Sequence, residues 1–425
     1  MGVSLIVIFI VCMFIGVPIA VSLGLGAIGA VLIAGKYSIL AIMHRTISGV
    51  DSYVLLAIPF FMLAGNIMNF GGVTSKIFKF AYSLVGRVPG GMGHADIIAS
   101  MIVSGMSGSA VADASGLGKV IFSAMREKGY DDKFSAAVQS AAATVGPIIP
   151  PSVPFVVYAA MAEVSLGALF IGGFIPGAML GISLMVIIYF IAKKRNYQRA
   201  DHFSFREVWV SFKEAFLPLL APIIIIGGIL AGIATPTEAA VIVTFYALLL
   251  SIIYKTFSWS ELKKALLDTG SSSAVIIFII ASSTAFSWVL AMEGIPERVT
   301  TYILSLTTNP YLIILILNIV FLIMGMFMES LSILTITVPF LMPLISAIGL
   351  DPVYLGMVVV LNLSIGMSTP PVGMCLFVCA KLANVKLEDL YKEILPFLVP
   401  LIIVLILVSY FPDITLFLPN LVFGK

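Results

Sequence analysis

Two stretches decide the architecture: GPIIPPSVP at 146–154 and GMSTPPVGM at 366–374. Each places a glycine four residues ahead of a proline pair, inside an otherwise apolar run. Proline removes a backbone donor and clashes with the preceding turn, so each run is a helix broken in its middle. The two glycines are 220 residues apart (366 − 146). The same shift carries Gly105-Met106 onto Gly325-Met326 and Ala160 onto Ala380, and a shift of 218 carries Pro18 onto Pro236. Punctuating residues that recur at one offset mark an internal repeat.

Composition names the solvent. Hydrophobic residues make up 60% of the 425 and charged residues 10%, against about 25% charged in soluble domains. A spanning helix takes about 20 apolar residues, so the chain has room for many passes. The net charge of +2 gives no reason to expect a nucleic-acid partner. Cys12, Cys375 and Cys379 all lie in apolar runs, where packing explains them better than a disulfide or a metal site. The apolar start, Met1 to Ala34, lacks the basic head and small-residue cleavage site of a signal peptide and is read as part of the mature protein.

Lysine and arginine excess marks the cytoplasmic side of a membrane protein. Arg126, Lys128 and Lys133 form one such cluster. Lys193, Lys194, Arg195 and Arg199 form a second, and Lys255, Lys263 and Lys264 a third. The surroundings of Glu163, Glu293 to Glu297 and Asp351 are poorer in cations and suit the far side. These marks predict a first repeat over 1–192, a cytoplasmic connector over 193–213, and a second, inverted repeat over 214–425. Each repeat holds a re-entrant helical hairpin, at about 92–128 and 309–348, and a broken helix, at about 133–163 and 353–384. The pairs 2–34 and 214–254 break near Pro18 and Pro236. Further spans run over 53–72, 167–192, 270–293 and 391–412. The stretches 37–50, 73–87 and 257–268 mix charges with apolar residues and read as interfacial amphipathic helices. Irregular backbone at membrane depth survives only where protein or a water-filled cavity surrounds it. Inverted repeats with broken helices at the midplane belong to secondary transporters. The fold class is therefore an all-α polytopic membrane protein of the ion-transporter kind.

The polar residues gather at the breaks. The first hairpin tip runs from Ser104 through Gly105, Met106, Ser107, Gly108 and Ser109 to Asp113, and faces Gly146, Pro150 and Ser152. The second offers Gly325, Glu329, Ser330 and Ser332, facing Gly366, Ser368, Thr369 and Pro370. Small residues let helices approach closely, which would account for either stretch taken alone. Hydroxyls and carbonyls freed by proline are hard oxygen ligands that suit Na⁺, and the pairing, repeated in both halves, favours an ion. Candidate Na⁺ ligands are Ser104, Ser107, Gly108, Ser109, Gly146, Pro150, Gly325, Glu329, Ser330, Gly366, Ser368 and Thr369. Candidate substrate contacts are Ser107, Ser109, Asp113, Ser152, Ser330, Ser332 and Thr369. Glu329 can serve function or cap a helix start, and both roles stay open; Asp113 shares that ambiguity. Glu238 follows Thr235-Pro236 and reads as a cap.

His44, His94 and His202 each lie in or beside a polar connector, which argues against a proton relay. HExxH and Walker motifs are absent from the sequence. ATP is not expected, no cofactor is needed, and an ion gradient is the expected drive. Gly105-Met106-Ser107-Gly108 fits the G-x-S-G of intramembrane serine proteases, but that chemistry needs a histidine base within reach. A passive channel is the other alternative.

AIPFFMLAGNIMNFGG (57–72), SGSAVAD (107–113), PIIPPSVPF (147–155), ATPTEAA (234–240), GMFMES (325–330) and TPPVG (369–373) together resemble the large membrane subunit of tripartite ATP-independent periplasmic (TRAP) transporters. The resemblance spans nearly the whole chain. It implies an elevator-type fold, in which the hairpins and broken helices move as one transport domain against a fixed scaffold. It also implies Na⁺ coupling and carboxylate substrates, such as C4-dicarboxylates or sialic acid. By motif position the family's ion sites fall on Ser107–Ser109 with Gly146, and on Gly325–Ser330 with Gly366 and Thr369. Implied partners are a small four-helix membrane subunit, expected here as a separate chain, and a periplasmic substrate-binding protein. The implied location is the bacterial inner membrane.

Overall fold

The computed structural model describes residues 1–199 and 204–424, apart from the side chains of 105–107. His202 and the side chain of Ser107 thus lie outside the described residues. The described secondary structure is helical throughout. The first half contains α1 (Gly2–Phe14), α2 (Ile19–Ala34), α3 (Ile39–Ser48), a 3-10 turn (Tyr53–Leu56), α4 (Ala57–Phe70) and α5 (Val73–Val85). Its hairpin is α6 (Gly91–Ser107) and α7 (Ala110–Glu127), and its broken helix is α8 (Asp132–Ala143) and α9 (Val153–Ala162). α10 (Leu166–Gly172) and α11 (Phe174–Lys194) close it. The second half contains α12 (Phe205–Leu230), α13 (Pro236–Ile253), α14 (Trp259–Met292) and α15 (Ile295–Leu306). The second hairpin is α16 (Pro310–Phe327) and α17 (Ser330–Ile348), the second broken helix α18 (Pro352–Gly366) and α19 (Met374–Ala383). α20 (Leu387–Tyr410) and α21 (Asp413–Phe423) end the chain. Eight helical stretches among the described residues are long and apolar enough to cross a membrane.

The repeat is carried by local chemistry at matching positions. Asp131 starts α8 by accepting from the Lys133 N–H at 3.1 Å, and Asp351 starts α18 by accepting from Val353 at 2.7 Å. Both caps satisfy orphan N–H donors at a helix start. Ser109 and Glu329 are the extended N-cap residues of α7 and α17. Pro150-Pro151 and Pro370-Pro371 both join through cis peptide bonds. α9 and α19 end in left-handed residues, Glu163 and Asn384. Thr235 and Glu238 close a reciprocal capping box at the start of α13, as the sequence predicts.

Three expectations change. The stretch 257–268 is not a separate interfacial helix but the first part of the 34-residue α14. No proline falls between Trp259 and Met292, and Gly270 alone weakens a helix without breaking it. Its counterpart breaks after Ser48, and the chain resumes as helix only at Tyr53. The connector is shorter than 193–213, because Ser204 caps α12 through the Glu207 N–H at 3.3 Å and helix begins at Phe205. The helices α15 and α21 were not anticipated; both are short, and α15 is amphipathic rather than uniformly apolar.

Packing sorts the helices into two groups. The hairpins and broken helices form an inner group with α11 and α20: α7 lies on α8 and α19, α16 on α18, α17 on α9, and α20 on α8 and α11. One continuous apolar core runs through this group and on into α4, α13 and α14. An outer group pairs α4 with α13 and α5 with α12, while α1, α2 and α3 pack on α14 around a second, smaller core.

Candidate functional site

The first hairpin tip docks on the first helix break through a backbone contact. The Gly108 carbonyl accepts from the Val153 N–H at 3.2 Å. Gly108 has φ +61°, and a Cβ there would stand 2.7 Å from the Pro151 carbonyl oxygen. Only glycine meets both demands. The second tip repeats the arrangement, with the Gly373 N–H donating to the Met326 carbonyl at 3.0 Å. Gly325 and Gly366 meet backbone to backbone: a Cβ on Gly366 would come within 2.7 Å of the Gly325 Cα.

Behind the first tip sits a buried polar cluster. Ser104 donates to Asp113 Oδ2 at 2.9 Å, and Gln139 donates to the Asp113 carbonyl at 3.2 Å. Gly146 lies directly against the same carboxylate, so that a Cβ at 146 would fall on Oδ2. This brings Ser104, Asp113 and Gly146 into one site, joining residues 42 positions apart (146 − 104). Asp113 is also in the first turn of α7, where the helix dipole favours a negative charge.

Other predicted residues are engaged locally. The Ser152 hydroxyl donates to the Pro147 carbonyl at 2.5 Å and accepts from the Phe155 N–H. Thr369 donates to the Ile365 carbonyl at 2.7 Å. Ser368 donates to the Ser140 carbonyl at 2.7 Å and so ties the two broken helices together. Pro150 and Ser332 are buried, Ser332 within α17.

A cavity of about 300 Å³ opens where the two tips converge. Gly108 and Ser109 line it from the first tip, Glu329 and Ser330 from the second, with Pro147 and Met367 from the breaks. Ser109 caps α7 loosely, accepting from the Ala112 N–H at 3.5 Å. Glu329 approaches the Leu331 and Ser332 N–H groups but closes no capping hydrogen bond. The N-termini of α7 and α17 thus both point at this cavity, which suits an anion. The opposite wall was not foreseen from the sequence. It is one face of α14, Ser272, Val275, Ile276 and Ile279, together with Met62 of α4. The i, i+3, i+4, i+7 spacing marks a helix face, but such a face reads equally as membrane-facing or core.

The sequence matches the family described as the tripartite ATP-independent periplasmic transporter, DctM component, over residues 6–414. The chain belongs to the TRAP transporter large-permease family. It is 44% identical over 413 residues to the sialic acid TRAP transporter large permease protein SiaM of Vibrio cholerae, covering 97% of both chains. It is 39% identical over 400 residues to the C4-dicarboxylate TRAP transporter large permease protein DctM of Pseudomonas aeruginosa, covering 94% of both. The crystal structure of the Alcanivorax borkumensis YdaH transporter shares the fold, with a TM-score of 0.62 at 13% identity over 88% of this chain and 87% of the other. This TRAP permease is therefore a multi-pass membrane transporter and not an enzyme. Of the two described histidines, the His94 ring bonds the Pro89 carbonyl and His44 lies near Ser48.

Proposed function

We propose that this chain is the membrane-embedded permease for a carboxylate substrate, sialic acid or a C4-dicarboxylate, taken up with Na⁺ across the bacterial inner membrane. The observation that carries this reading is the cavity shared by the two tips. Among the described residues lining it there is no lysine, arginine or histidine. Recognition of a carboxylate then falls to the Ser109 and Ser330 hydroxyls, to the N-termini of α7 and α17, and to bound cations. Ser104, Asp113 and Gly146 on one side, and Gly325, Glu329 and Gly366 on the other, supply the oxygens that would hold Na⁺. The ions enter as cargo and complete an anion site that the protein leaves without a positive side chain.

The movement we propose is that of an elevator. α17 packs on α14 and α15, whereas the first hairpin meets the outer group chiefly through α6, on α5, α4 and α12, with α7 resting on α8 and α19. The halves on either side of the connector act as inverted repeats, and exchanging the two packings would present the cavity to the other side. A separate four-helix membrane subunit would brace the outer group, and a periplasmic binding protein would deliver substrate. The relatives' names supply these substrates and the tripartite organisation.

The test is uptake in proteoliposomes holding this chain with its small subunit and binding protein. Sialic acid and C4-dicarboxylates are offered with and without an inward Na⁺ gradient. Accumulation that needs Na⁺ supports the reading. Accumulation without Na⁺ removes the coupling, and Na⁺-independent equilibration without the binding protein makes the chain a channel.

A further inference from the structure

Asp96 lies near the start of α6, away from the tips, and is fully buried. Its Oδ1 is approached by the Ser100 hydroxyl at 3.4 Å, a weak hydrogen bond, and its Oδ2 has no partner. Ser100 and Ser104 are also fully buried. The spacing 96, 100, 104 places all three on one face of α6. Since Ser104 donates to Asp113 Oδ2, a buried polar stripe leads from Asp96 to the cluster behind the first tip.

Among the described residues no cation pairs with Asp96. The titratable group in its electrostatic reach is the Cys379 thiol of α19, itself fully buried. His94, two residues earlier on α6, points to the Pro89 carbonyl. α4, α5, α7, α8, α11 and α12, which pack on α6, place no charged side chain against Asp96. A buried carboxylate with one free oxygen has three ways to persist. It can bear an unpaired charge, hold a metal cation, or hold a proton. An unpaired charge is the most costly of these in a low-dielectric interior. A metal ion needs several oxygens, and around Asp96 the helix keeps its carbonyls in regular bonds, leaving one weakly placed hydroxyl. A proton needs no further ligand, and an unpartnered neutral O–H costs far less than an unpaired charge.

We propose that Asp96, with Ser100, is a proton-binding site of the first hairpin, and that the permease works with this carboxyl in its neutral acid form. The proposal does not depend on which ion the tips hold. As pH rises and Asp96 loses its proton, the buried charge has no partner, so competent protein is lost on the alkaline side.

Infrared spectra of the purified, reconstituted permease test this directly. The wild type is expected to show a protonated-carboxyl C=O band at neutral pH that is missing in Asp96→Asn and kept in Asp113→Asn. Asparagine mimics the neutral acid, so Asp96→Asn should fold and transport at neutral pH. Wild-type uptake should fall about tenfold for each pH unit above the titration of Asp96, and Asp96→Asn should lack that limb. The absence of an acid band assignable to Asp96 would overturn the proposal. So would an Asp96→Asn profile that superimposes on the wild type, or a well-folded Asp96→Asn that is inactive at neutral pH.

Discussion

Ser109 and Glu329 hold the N-cap positions of α7 and α17, 220 residues apart in sequence, and line one cavity from its two hairpin tips. The tips of both hairpins therefore meet at a single point, where two helix N-termini converge. A site built this way uses the partial positive ends of helices and bound cations in place of a basic side chain.

Glu329 has no closed cap to maintain, so its carboxylate is available to an ion. Glu329→Gln should leave the fold intact and weaken Na⁺ activation of uptake about tenfold, corresponding to about 1.4 kcal/mol. A Na⁺ titration of initial uptake rates measures this. An unchanged Na⁺ requirement would return Glu329 to a structural role.

Gly146 has no room for a methyl group beside Asp113. Gly146→Ala must displace the carboxylate or the helix break, at about 1–3 kcal/mol. The expected outcome is loss of Na⁺-driven uptake together with a lowered melting temperature. Gly366→Ala, pressed on the Gly325 backbone, should behave alike in the second half.

Ser272 stands on the outer wall of the cavity, away from both tips. Ser272→Cys should react with thiol reagents, substrate should slow that reaction, and the modified protein should lose uptake. The native cysteines are all buried, which keeps the background low. Full reactivity in the presence of saturating substrate and Na⁺ would separate this cavity from the transport path.

Glu163 and Asn384 are exposed, left-handed ends of matching helices. If the halves are inverted, Glu163→Cys should react with a membrane-impermeant thiol reagent from outside intact cells, and Asn384→Cys only after lysis. Equal labelling from one side would refute the inversion.

Gly116 of α7 touches Asn69 of α4, where a Cβ would lie 3.2 Å from the amide nitrogen. The double variant Gly116→Cys, Asn69→Cys should cross-link and stop uptake if the inner group slides. Unimpaired uptake by the cross-linked protein would favour fixed helices.

The sequence by itself determined the class, the two hairpins and the two helix breaks. Proline and glycine act through the local backbone, so Pro150-Pro151 and Pro370-Pro371 interrupt their helices whatever surrounds them. Apolar length speaks equally directly of the bilayer. Tertiary structure alone decided which polar groups share a site. Ser109, Ser152 and Thr369 are chemically similar in a sequence, yet Ser109 lines the cavity while the other two hydroxyls are bonded to neighbouring carbonyls. The α14 wall could not be read, because a small and apolar helix face is the same string of residues against lipid, core or substrate. The pairing of Asp113 with Gly146, and the isolation of Asp96, likewise depend on which helix lies beside which. A hydrogen bond or its absence is a property of two partners, and one strand of text supplies only one of them.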